Sequence, residues 1–129
     1  MKILKAGEYY IGDCCYVLDD DLLEGFDWSD DFCEQFWVSE EDIIIKGENI
    51  VAYSTAHGDG VYPSSVGFNF PVDAGLIGCT PKGLWKGEGE PFGCFLVKFD
   101  QDFKCSSDGS TLSFGHVEIY TDWEDEDDE

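Results

Sequence analysis

The chain has 129 residues, 43% of them hydrophobic and 16% aromatic, with 29 Asp and Glu against seven Lys and no Arg, for a formal net charge of -22. That aromatic content excludes general disorder, and a chain of this length can bury about two thirds of its unfolded surface in one domain. The charge excludes direct nucleic-acid binding, which needs Lys and Arg at the phosphates, and no apolar run approaches a membrane span.

Short runs of Val, Ile, Tyr and Phe alternate with Gly, Asp, Asn and Pro, the pattern of strands joined by turns. The predicted fold is mainly β (α+β): a single antiparallel β barrel or sandwich-like sheet with one short helix around residues 30–37. Residues 1–121 form a single β-rich domain and 122–129 an acidic flexible tail. The opening stretch "MKILKAGEYYIGD" lacks the apolar core of an export signal, which predicts a cytoplasmic protein with its six Cys reduced. These cysteines form no CxxC pair, and they are read as small buried hydrophobes.

The first predicted strand, Tyr9 to Leu18, sets Cys14 and Cys15 on opposite faces and puts Asp13 on a face with Ile11, Cys15 and Val17. A carboxylate among apolar neighbours needs a partner. Either a bulge at Gly12-Asp13 turns it outward or toward backbone N–H groups, or it faces a polar pocket. In "DDDLLEGF" one helical turn ends at Gly25, a left-handed cap. After Ser29 as N-cap, "DDFCEQFW" places Phe32, Cys33, Phe36 and Trp37 on one stripe. Strands follow at Ile43 to Lys46, Ile50 to Thr55, Val66 to Phe70, Gly75 to Cys79, Gly93 to Phe99 and Thr111 to Thr121. The stretch Thr80 to Gly93 is read as a loop carrying Lys82 and Lys86. The last eight residues, Asp122, Trp123, Glu124, Asp125, Glu126, Asp127, Asp128 and Glu129, form a candidate interaction tail.

His57-Gly58-Asp59-Gly60 is first a turn, because Gly tolerates positive φ and Asp bonds its own following backbone. It also presents His57 and Asp59, a base or ligand and its orienting carboxylate, beside Tyr62. His116 is read as a satisfied core or sheet-face histidine. No nucleophile elbow, P-loop, dinucleotide fingerprint, HExxH or EF-hand loop occurs, so no catalytic residue, metal ligand or cofactor is assigned.

The patches "IGDCCYVL", "GDGVY" and "VDAGLIG" resemble a family of small uncharacterised bacterial and phage proteins with G-D-P-C-Y-V, G-D-G-x-Y and D-A-G-x-I-G stretches in that order. The resemblance covers about a fifth of the chain. Cys14 stands where the family pattern has Pro. It implies grouping and a phage or mobile-element origin, implies no activity, and nominates Asp13, Asp59, Tyr62 and Asp73 for testing.

Two functions fit these readings. The first is an acidic interaction protein that binds a basic protein, such as a nucleic-acid-binding enzyme that it inhibits by mimicking nucleic acid. The second is a small-molecule binder, or more weakly a hydrolase. Its pocket would be walled by Tyr16, Tyr53, Tyr62 and Trp85 and polarised by Asp13, His57, Asp59 and Asp73, and the negative field argues against a phosphorylated ligand unless Lys82 and Lys86 line the entrance.

Overall fold

The computed structural model describes residues 1–121, and the predicted tail at 122–129 lies outside the described residues. Among the described residues the strands are β1 (Lys2–Leu4), β2 (Gly7–Gly12), β3 (Ile43–Ile45), β4 (Glu48–Ser54), β5 (Gly60–Tyr62), β6 (Phe70–Val72), β7 (Leu76–Pro81), β8 (Phe95–Phe99), β9 (Phe103–Ser107), β10 (Thr111–Phe114) and β11 (Val117–Tyr120). They pair antiparallel into a five-stranded sheet of order β3-β4-β7-β2-β8, a four-stranded sheet β1-β9-β10-β11 and the ribbon β5-β6. The fold is mainly β with sandwich-like sheets, and no closed barrel forms among these residues.

Alternation along the strands explains the layers. On β4, Val51 and Tyr53 face the four-stranded sheet, whereas Ile50 and Ala52 face the other way. The first face joins Ile11, Ile77, Val97 and Phe99 to Cys105, Leu112, Phe114, Val117 and Ile119 in one core. The second is roofed by Leu18, Leu23, Phe26 and Phe32, from the segment between β2 and β3. The middle of the five-stranded sheet is therefore apolar on both sides, which is why "NIVAY" and "LIGC" read as continuous rather than alternating runs.

Inside that roof, Asp27 caps a π-helical turn (Trp28–Cys33) that continues into α1 (Glu34–Val38). The expected cap at Ser29 is thus two residues earlier. The wider π turn also moves the apolar stripe: Trp28, Phe32 and Phe36 stack at centroid distances of 4.4 and 5.9 Å, and Trp37 points out at 77% exposure. Gln35 replaces a missing strand. Its side chain accepts from the Ile44 N–H at 2.8 Å and donates to the Ile44 carbonyl at 2.9 Å, blunting the exposed edge of β3.

Several predicted boundaries are corrected. β2 ends at Gly12, and Cys14–Tyr16 form a 3-10 turn, so Cys14 and Cys15 do not alternate on a strand. Val66 and Phe68 lie in a loop closed by the Ser64 hydroxyl on the Phe68 carbonyl (2.7 Å), and β6 begins only at Phe70. The predicted strand Thr111 to Thr121 folds back at Gly115-His116 into the hairpin β10–β11. His116 is consequently an exposed turn residue against Phe99, with ring centroids 5.7 Å apart, not a core histidine. β1, β5 and β9 were not anticipated.

Gly78 in central β7 has a packing reason. A Cβ there would collide with the Cys14 sulfur and lie 2.8 Å from the Val51 carbonyl oxygen and 2.9 Å from the Ala52 Cβ. Overpacking of this kind costs about 1–3 kcal/mol. Gly78→Ala should lower the urea midpoint accordingly, with Cys14→Ala recovering part of the loss in the double variant; strictly additive effects would contradict the contact.

Candidate functional site

Asp13 is fully buried and belongs to no bulge. Its Oδ1 accepts the Cys15 N–H at 3.0 Å, capping the 3-10 turn, and its Oδ2 accepts the N–H groups of Asp73 (2.7 Å) and Ala74 (2.6 Å). One carboxylate thus ties the end of β2 to the turn between β6 and β7, its charge satisfied by peptide dipoles. Position 14 opens the 3-10 turn, a place that needs no N–H.

The clamp extends to the Gly58–Tyr62 stretch. The Gly75 carbonyl accepts the Thr55 N–H at 3.0 Å, and the Gly58 carbonyl accepts both the Thr55 and the Tyr62 hydroxyls at 2.7 Å. Gly58 takes φ 71°, which a side chain resists, so the Gly in this turn is required by its backbone. The stretches around Asp13, Gly58–Tyr62 and Val72–Gly78 therefore meet at one end of the five-stranded sheet. Asp13 and Asp73 are brought together there, and His57 and Asp59 lie exposed on the adjoining turn. Tyr62 is buried in the core.

The expected aromatic wall does not assemble. Tyr53 and Tyr62 belong to the core between the sheets, whereas Tyr16 and Trp85 pack with Tyr10, Val17 and Cys94 on the opposite face. Lys82 faces Glu8 at 3.7 Å, and Lys86 lines a different pocket. All six cysteines are free thiols. Burial, then the Asp13 and Asp73 carboxylates, push the Cys15 thiol well up, and burial with the Asp73 carboxylate does the same to the Tyr16 phenol. A thiol acts as nucleophile only as thiolate, so Cys15 is held in its non-nucleophilic, protonated form. No group of three or more His, Cys, Asp or Glu among the described residues is arranged to hold a metal ion. Among the described residues no helix is long and apolar enough to cross a membrane.

A second feature lies in the roof. Residues 19–34 carry eight carboxylates and no lysine, and among the described residues none of the eight forms an ion pair. Four of them are fixed by backbone bonds. Asp19 accepts from Asp21 N–H (2.8 Å), Asp20 from Trp28 N–H (3.1 Å), Asp27 from Asp30 N–H (2.9 Å) and Asp31 from Asp27 N–H (2.8 Å). The last two form a reciprocal cap, with the returning acid one place later than in an α-helix because the turn is π-helical. Trp37 and Val38 stand beside this layer at 77% and 87% exposure. Composition alone pointed to the tail; the signal for the roof was the lysine-free run "DDDLLEGFDWSDDFCE".

No protein-family model, curated protein or solved structure matches the chain.

Proposed function

We propose that the protein is an interaction module whose 19–34 roof docks on a basic protein surface. The observation that carries this reading is the unpaired, lysine-free set of eight carboxylates, half of them immobilised on backbone N–H groups. Fixed charges lose little freedom on binding, and an unbalanced negative field speeds encounter with a cationic partner. Exposed Trp37 supplies an indole face for a partner's Arg or Lys, and Val38 an apolar contact. Surfaces that bind nucleic acid are the natural basic partners, which makes competition with nucleic acid the inhibitory version of this function and agrees with the suggested phage or mobile-element origin.

The test separates roof from tail. The side chains of Asp21, Asp30 and Glu34 are exposed and make none of the fixing bonds, so Asp21→Asn, Asp30→Asn and Glu34→Gln together should leave the melting curve unchanged. Immobilised full chain and the 1–121 fragment should retain the same salt-sensitive partner, with the triple variant losing ~10-fold in affinity or more. Retention by the triple variant with loss in the 1–121 fragment would transfer the function to the tail.

A further inference from the structure

We infer that the pocket between the 19–26 segment, the β3–β4 hairpin and the 82–86 turn, to which the acidic roof contributes Leu23 and Glu24, binds a small zwitterion of amino-acid type. It has a volume of about 330 Å3 and is lined by Leu23, Glu24, Lys46, Glu48, Leu84 and Lys86, with Gly83 at its rim. That volume falls at the small end of metabolite-binding sites. Two of the seven lysines of a chain with net charge -22 converge there, and among the described residues neither forms an ion pair.

Lys46 is the strongest sign that the site is built. Ile45 pairs with Glu48 across a two-residue turn, and Lys46 sits in it at φ 53°, the one non-glycine residue with positive φ among those described. Such a turn favours Asn at this position followed by Gly, and here Gly47 follows at φ 81°. Lysine is uncommon in this conformation, and its ammonium reaches across to Gly25 in the 19–26 segment that walls the pocket. The same Lys46 also borders a second pocket with Gly25, Phe26 and Asp31.

The walls are set before any ligand arrives. The 82–86 turn is a 3-10 turn (Lys82–Leu84) followed by Trp85, whose indole N–H donates to the Gly89 carbonyl at 2.9 Å. The 19–26 segment is fixed by Leu22 and Leu23 N–H groups on the Asp19 carbonyl at 3.1 and 2.8 Å. Chemistry then selects the ligand. Two ammonium groups take a carboxylate, Glu24 and Glu48 take an ammonium and oppose a dianion, and Leu23 and Leu84, both buried, floor the site for an aliphatic group.

The test titrates the full chain by calorimetry and amide NMR with leucine, isocaproate (the same skeleton without its amine), isoamylamine and inorganic phosphate. Leucine should bind best, with shifts confined to residues 22–26, 45–48 and 82–86. Lys46→Asn suits the turn better and should raise the melting temperature slightly while weakening leucine ~10-fold or more, and Lys86→Met should weaken it similarly. Glu24→Gln should narrow the gap between leucine and isocaproate. Leucine failing to bind at millimolar concentration, affinity unchanged in both lysine variants, or phosphate or isocaproate binding as well as leucine would each overturn the assignment.

Discussion

Asp13→Ala should cost the protein about 2–4 kcal/mol of stability. It strands the N–H groups of Cys15, Asp73 and Ala74 beside a fully buried position. A buried donor left without an acceptor costs about 1–3 kcal/mol; Cys15 is half-buried and Asp73 and Ala74 lie at the surface, where water reaches part of the gap, so the three together cost about 2–4 kcal/mol, a large share of a typical 5–15 kcal/mol stability. Asp13→Asn is the sharper test because volume is conserved. Both carboxylate oxygens accept N–H groups, so whichever way the amide is turned its NH2 meets at least one of them, and about 2 kcal/mol should be lost. Urea denaturation of both variants checks this. An unchanged midpoint for Asp13→Asn would mean that the carboxylate does not clamp the β6–β7 turn.

The second large effect is alkaline. Burial pushes the Cys94 and Cys105 thiols up to about 12 from an ordinary 9.0, and pushes the Cys14 and Cys79 thiols higher still. Each folded-state pKa is raised, so each thiol's contribution is fully present below about pH 9. It is lost as pH rises, because the unfolded chain releases the proton first. Each contributes a slope of about 1.4 kcal/mol per pH unit, so the four together remove about 4–6 kcal/mol by pH 10. Burial likewise pushes the Tyr9 phenol up to about 12, and burial then the Glu41 carboxylate push the Tyr53 phenol higher still, which adds to the loss above pH 10. The urea midpoint should be level from pH 7 to 8 and fall steeply above 9. A midpoint level to pH 10.5 would contradict the burial of these thiols.

What the sequence made legible follows from local chemistry. The β class, the turn at Gly58-Asp59, the left-handed Gly25 and the face of Val97 and Phe99 each rest on a few neighbouring residues, and each is found. A carboxylate among Ile11, Cys15 and Val17 needs a partner, and backbone N–H groups can supply it; that these N–H groups belong to residues 73 and 74 is a long-range fact with no local signature. The aromatic wall failed for the same reason. Tyr53 lies on the inner face of β4 and Tyr16 in the 3-10 turn beyond β2, on the other side of the sheet, and that departure of the chain from β2 decides which face Tyr16 joins. Trp37 was assigned inward because a 3.6-residue period was assumed where the chain makes a π turn. The weight of Lys46 lies in its φ, a quantity with no trace in composition.

The most direct measurement of the interaction reading is native mass spectrometry of the purified 1–121 fragment after incubation in bacterial lysate, at low and then at high ionic strength. The account predicts an added mass of tens of kilodaltons that dissociates in high salt, as expected for pairing of exposed charges. It also predicts that the added mass is absent from the Asp21→Asn, Asp30→Asn, Glu34→Gln variant. A fragment that remains alone at low salt, or a complex that the variant forms equally well, would contradict it.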